Sequence, residues 1–217
     1  MTEAIRISRI TRGPGGYKLA ISGLDQPLMV PEELLHRYRL KEGVVLTEPQ
    51  LNQLLAEAEM VRCEQVVGRL LAMHEHSLGE IRAKLRQRKF TKDVIEPTTK
   101  KFQAAGLLDD ARMAHGLARR LYERKPSGRS FLVAALRRKM IERSLAEQAV
   151  DRLLEGEDET VAATRALEQK WPMPDQIDIE SIRSKAYSYL SRRGFGYQAA
   201  RAAVTQLFET TGKVAED

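Results

Sequence analysis

The chain has one cysteine in 217 residues, which rules out an internal disulfide, and Cys63, between Arg62 and Glu64, has no second ligand at metal-binding spacing. No apolar run approaches the ~20 residues that a membrane span requires. The N-terminus lacks the charged, apolar and small-residue order of a secretory signal. Together these absences point to a cytoplasmic protein. Aromatics make up only 6% of the chain and few adjoin its basic clusters, which argues against base stacking of the single-strand-binding type.

Groupings that carry chemistry are equally scarce. His74 and His76 are two residues apart, so on a helix they point to different sides and do not form the i, i+4 pair of a helical zinc site. His36 and His115 have no partner in the sequence. Asp109-Asp110 is the nearest thing to a carboxylate pair, but adjacent acids opening a helix are favoured by capping and by its dipole. Arg12-Gly13-Pro14-Gly15-Gly16 lacks the lysine and hydroxyl residue of a phosphate-binding loop and reads as a hairpin turn. No catalytic, cofactor-binding or metal-binding residue is expected.

What is present is helix and positive charge. Apolar residues make up 42% of the chain, enough for a core, and the net charge is +6. Residues 1–63 carry eight basic and eight acidic side chains, residues 64–155 carry twenty against twelve, and residues 156–217 carry eight against ten. The middle of the chain therefore holds the positive field, which suits a polyanion or an acidic protein surface.

Residues 1–46 read as strand-rich, with Ile5 and Ile7, then Tyr17, Leu19 and Ile21, alternating with polar residues, a third strand at Leu28-Met29-Val30, and a short helix after Pro31. Thr47-Glu48-Pro49 opens a helix spanning 47–63, and nothing between residues 50 and 67 punctuates it before it reaches the next segment.

From there the sequence repeats. Leu85-Arg86-Gln87-Arg88-Lys89-Phe90-Thr91 returns as Leu136-Arg137-Arg138-Lys139-Met140-Ile141-Glu142 and as Leu190-Ser191-Arg192-Arg193-Gly194-Phe195-Gly196, the leucines 51 and 54 residues apart. Each copy is followed by apolar or small residues at helical spacing. Leu145, Ala146, Ala149 and Val150 follow the second; Ala199, Ala200, Ala203 and Val204 follow the third; Val94, Ile95, Thr98 and Thr99 follow the first. A period near fifty with helical spacing inside it predicts three three-helix repeats, over 64–108, 109–156 and 157–210, with a polar tail at 211–217. The expected fold is mainly α: three tandem three-helix repeats in an elongated, curved array behind a small N-terminal β-hairpin-like region. Ser77 with Glu80 forms a capping-box pattern, Thr91 is expected to cap the next helix, and the third repeat opens near Asp158, breaks at Trp171-Pro172-Met173-Pro174 and restarts at Asp178.

The basic residues after each repeated leucine fall off the apolar stripe. A helix C-terminus favours such cations by ~0.3–1 kcal/mol each, yet residues 119–143 hold nine basic side chains against two acids. A binding edge explains that surplus better. Its candidate residues are Arg82, Arg86, Arg88, Lys89, Arg129, Arg137, Arg138, Lys139, Arg192 and Arg193. Because Arg137, Arg138 and Lys139 lie off the Leu132 and Leu136 stripe, reversing their charge is expected to leave folding intact.

Several segments match a known family. His76-Ser77-Leu78-Gly79-Glu80-Ile81-Arg82-Ala83-Lys84-Leu85 with Lys89-Phe90, Gly106-Leu107-Leu108-Asp109-Asp110-Ala111-Arg112-Met113-Ala114, Leu136-Arg137-Arg138-Lys139, and Leu190-Ser191-Arg192-Arg193-Gly194-Phe195 resemble, in order, the RecX family of modulators of the RecA recombinase. Met140 stands where that family tends to have glycine, and Lys125-Pro126-Ser127-Gly128-Arg129 replaces a linker that is usually glycine-rich. The resemblance implies a non-catalytic monomer that lies in the groove of the RecA filament. It would restrain ATP hydrolysis, coprotease action and strand exchange in DNA repair, recombination and the SOS response. Its basic edge would meet RecA, or single- or double-stranded DNA. The alternative is a helical protein acting directly on DNA, although no helix carries the Asn, Gln and Arg mixture of base reading.

Overall fold

A computed structural model of the protein describes residues 4–172 and 179–214. The described residues form four short strands and ten helices. The backbone separates into two compact units, one containing the residues up to Glu75 together with Ile81–Leu107, the other His76–Glu80 together with the residues from Leu108 onward.

In the first unit, β1 (Ile5–Gly13), β2 (Gly16–Ile21), β3 (Leu28–Val30) and β4 (Val45–Leu46) make an antiparallel sheet in the order β3-β2-β1-β4. Gly13 pairs with Gly16 across a two-residue turn in which Pro14 presets φ and Gly15 takes φ +84°, a conformation open to glycine at little steric penalty. The alternation of Ile7, Leu19 and Ile21 puts those side chains on one face. There they are buried against Leu34 of α1 (Glu32–Arg37) and Leu51, Leu54 and Ala58 of α2 (Glu48–Met73). Strand β4 was not visible in the sequence, since two residues are too few to show an alternation.

Helix α2 opens on a reciprocal cap: Gln50 N–H donates to Thr47 Oγ1 at 3.4 Å, and Thr47 N–H donates to Gln50 Oε1 at 2.9 Å. It then runs 26 residues without a break. Residues 47–63 and the opening of the first repeat are thus one helix, whose first half seals the sheet and whose second half buries Cys63, Val67 and Leu70. With α3 (Leu78–Gln87) and α4 (Lys92–Ala104) it completes the first helical triplet. Thr91 occupies the capping position of α4, but its hydroxyl accepts no capping bond, contrary to expectation. Thr98 and Thr99 keep the stripe of α4 despite their hydroxyls, and Thr99 Oγ1 satisfies itself on the Ile95 carbonyl at 2.9 Å.

The second unit contains α5 (Asp110–Arg124), α6 (Arg129–Arg138) and α7 (Arg143–Leu154), then α8 (Glu159–Lys170), α9 (Ile179–Arg192) and α10 (Tyr197–Val214). Asp109, Glu142 and Asp158 cap α5, α7 and α8 with their carboxylates. The two triplets share one continuous core, in which Leu132, Leu136, Leu167 and Leu190 are fully buried. Ala114, Ala118, Ala146, Ala149, Ala162, Ala163, Ala166, Ala186, Ala200 and Ala203 supply much of the rest, and side chains this small let helices within a triplet approach closely, α5 against α7 and α8 against α10. The Met173-Pro174 break and the Asp178 restart lie outside the described residues. Helix α10 continues to Val214, four residues into the stretch expected as tail, because extending a formed helix adds a hydrogen bond for each residue fixed. Residues 215–217 lie outside the described residues. No described helix is long and apolar enough to cross a membrane.

Candidate partner-binding surface

The repeated basic motif is the C-terminus of the second helix of each triplet followed by one type of stop. Lys89, Met140 and Gly194, each four residues after its leucine, take φ of +65°, +55° and +79°. In each copy the next residue donates back to the leucine carbonyl: Phe90 to Leu85 at 3.2 Å, Ile141 to Leu136 at 3.4 Å, Phe195 to Leu190 at 3.2 Å. The left-handed residue donates to the carbonyl three before it, at 2.9 Å every time. This is the Schellman arrangement, with a buried anchor, Phe90, Ile141 or Phe195, following the left-handed residue. The basic run therefore sits on the last turn of a helix, where unpaired carbonyls favour cations.

The ten candidate residues divide sharply by what they already touch. Arg82 pairs with Glu96. Arg129 makes a fork to Asp151, Nε to Oδ1 at 2.6 Å and a terminal nitrogen to Oδ2 at 3.0 Å. Arg137 donates to the Ile141 carbonyl at 2.7 Å, and Lys139 Nζ lies 3.2 Å from Glu80 Oε1. Arg138 lies over the Phe131 ring at 5.9 Å. Arg88 reaches the Lys84 carbonyl on its own helix at 3.0 Å. Arg193 is the most committed: it stacks on Phe131 at 4.2 Å and donates to the Lys125 and Pro126 carbonyls at 2.7 and 3.3 Å and to Ser127 Oγ. Burial pulls its pKa below the ordinary value, the nearby Tyr189 opposing the shift, although a guanidinium stays charged at neutral pH regardless. Arg86, Lys89 and Arg192 are exposed and make no ion pair or side-chain hydrogen bond among the described residues.

The local surplus at residues 119–143 is smaller in space than in sequence. Arg119 pairs with Glu123, while Arg129, Lys139 and Arg143 find Asp151, Glu80 and Glu147, all acids outside that window. Lys125 lies 5.2 Å over the Tyr189 ring.

Two of the basic turns form joints inside the second unit. Lys139-Met140 rests on Ser77-Gly79: Ser77 Oγ donates to the Lys139 carbonyl, and a Cβ on Gly79 would collide with the Met140 backbone and side chain. Arg193-Gly194 rests in the same way on Gly128, whose N–H donates to the Arg193 carbonyl at 2.9 Å and which has no room for a Cβ against Gly194. Ser130 Oγ reaches the Gly194 carbonyl at 3.1 Å. Around the first joint, the Ser77–Glu80 capping box forms as expected, and Asp110 Oδ1 accepts the Leu78 N–H at 2.7 Å, so the adjacent acids are both structural. Burial alone would raise the Glu80 pKa. The Ser77 N–H, the Lys139 ammonium and His76 together outweigh it and hold the carboxylate below its ordinary value.

Two arginines that the repeat did not highlight also matter. Arg62 and Arg69 of α2, together with Arg88, line a cleft in the first unit. Their signal in the sequence was the helical spacing of Arg62, Gln65, Val66 and Arg69, which lies outside the repeated motif. Among the described residues no three His, Cys, Asp or Glu side chains gather to hold a metal.

None of the known family models matches the chain. Individual proteins do. Regulatory protein RecX of Chlorobium phaeobacteroides is 29% identical over 156 residues, covering 72% of this chain and all of that one. Regulatory protein RecX of Pelodictyon phaeoclathratiforme is 32% identical over 139 residues, covering 64% of this chain and 84% of the relative. The chain belongs to the RecX family. A crystal structure of regulatory protein RecX shares its fold with a TM-score of 0.64 at 21% identity, over 90% of this chain and 97% of the other. RecX from Lactobacillus salivarius does so at 0.58 and 18%, over 69% and 96%. In this RecX-family chain the left-handed stop is kept even where methionine fills it, so the backbone of the joint does not depend on glycine at position 140.

Proposed function

We propose that this chain is a non-catalytic regulator that binds the RecA recombinase filament and restrains its ATP hydrolysis, coprotease action and strand exchange in the cytoplasm. Membership of the RecX family carries this reading. The exposed cations give it a chemistry: Arg86, Lys89 and Arg192 stand at helix ends with no ion pair or side-chain hydrogen bond among the described residues, so they offer positive charge to acidic protomer surfaces or to phosphates. The remaining basic candidates hold the fold together first and meet a partner only with the donors left over.

Co-sedimentation with RecA assembled on single-stranded DNA tests the binding directly. The wild-type chain is expected to pellet with filaments, and the variant Arg86→Glu, Lys89→Glu, Arg192→Glu is expected to remain largely in the supernatant. A wild-type chain that stays in the supernatant at equimolar RecA would overturn the proposal.

A further inference from the structure

The cleft in the first unit has a volume of about 400 Å³ and lies between the β1–β2 turn, the middle of α2 and the end of α3. One wall is helical, with Arg62 and Arg69 seven residues apart, which places them ~10.5 Å apart along the axis and on one face. Arg88, just beyond α3, also lines the cleft. So do Pro14 and Gly15 of the turn, where a glycine without a side chain lets a ligand approach the backbone. Among the described residues no acid lines this cleft. None of the three arginines has an ion pair among the described residues: Arg62 lies over the Phe90 ring at 5.9 Å, and Arg88 spends one of its five N–H groups on the Lys84 carbonyl.

From this geometry we infer that the cleft binds the phosphodiester backbone of a single nucleic-acid strand. Guanidinium forks suit phosphate oxygens, and cations at intervals along a trough suit a chain with a charge on every residue better than one isolated carboxylate. Phe90 is buried, so the cleft has no platform on which a base could stack, and contact is with the backbone rather than the sequence. A volume within the usual range of ligand sites admits one strand. The adjoining depression shares Gly15, Pro31, Gln65 and Arg69 but carries Glu32 and Glu33, so the strand's path runs toward Arg88 and away from α1. The site is separate from the repeated basic turns of the second unit and needs no RecA.

Fluorescence anisotropy of the full chain with a labelled oligodeoxythymidylate of about 15 nucleotides, in salt from about 50 to 200 mM, tests this. With three phosphates engaged, log affinity should fall against log salt with a slope of about −2. Arg69→Gln with Arg88→Gln should weaken binding about tenfold or more at the lowest salt and flatten the slope by about 1.4. The single change Arg69→Gln removes no ion pair or hydrogen bond among the described residues and should flatten it by about 0.7. Arg119→Gln on α5 should leave both quantities unchanged. Equal affinity and slope in the wild type and the double variant would overturn the inference. So would a chain that binds a polyglutamate peptide through these arginines and does not bind the oligonucleotide. RecA is absent from this assay, so its outcome is distinct from that of the regulatory proposal.

Discussion

Met140 holds a left-handed backbone that disfavours any side chain by ~1–2 kcal/mol, and its own side chain is exposed and contributes little in return. Met140→Gly is therefore expected to stabilise the second unit by about 1 kcal/mol, read as a rise in chemical-denaturation midpoint. Gly128→Ala should do the opposite, because its Cβ would meet the backbone of Gly194, and overpacking of this kind destabilises by ~1–3 kcal/mol or more. Glu80 adds a pH dependence whose sign follows from its lowered pKa. The joint's stabilisation is complete above the ordinary carboxylate value and is lost as pH falls through the lower folded value. Melting curves from about pH 6 to 3 should show a steeper loss for the wild type than for Glu80→Gln, and parallel curves would remove Glu80 from the joint. In the sequence only Gly194 of the three left-handed stops was legible as one. Lys89 and Met140 hide it because neither residue type signals positive φ.

The apolar stripes of the helices were legible because burial enforces them at helical spacing: Ala146, Ala149 and Val150, and Ala199, Ala200, Ala203 and Val204, are all buried. Charge was less legible, because the acids that neutralise Arg129, Lys139 and Arg143 lie on other parts of the chain or just beyond the basic window. This alters what charge reversal should do. Replacing Arg137, Arg138 and Lys139 with glutamate leaves the Leu136 stripe untouched, yet it puts an acid beside Glu80 and removes the Arg137 bond to Ile141. The triple variant is therefore expected to lose stability, lowering the melting temperature by several degrees, on the order of 2–8 °C. Arg86→Glu with Lys89→Glu breaks no ion pair or side-chain hydrogen bond among the described residues and should melt within a degree or two of the wild type, since surface changes usually stay within ~0.5 kcal/mol. Circular dichroism melts of the two variants side by side check the contrast. A triple variant as stable as the wild type would mean that the joint does not need these side chains.

At the scale of the whole chain, the period near fifty residues gave the number of helical triplets, and the strand alternation gave the sheet. The allocation of triplets to cores was not legible. The first triplet shares α2 with the sheet, because that helix has no internal breaker, and the second and third triplets bury their apolar stripes in one continuous core. Repeats defined by sequence mark equivalent positions, whereas a core forms wherever apolar stripes meet, which the period does not specify. This RecX-family chain is proposed to regulate RecA by binding its filament, with the exposed cations Arg86, Lys89 and Arg192 at helix ends. The most direct test of that claim is DNA-dependent ATP hydrolysis by RecA from the same organism, measured with increasing amounts of this protein. Hydrolysis should fall at well below one molecule per RecA protomer, because one bound regulator affects many subunits of a filament. Undiminished hydrolysis at equimolar protein would contradict it.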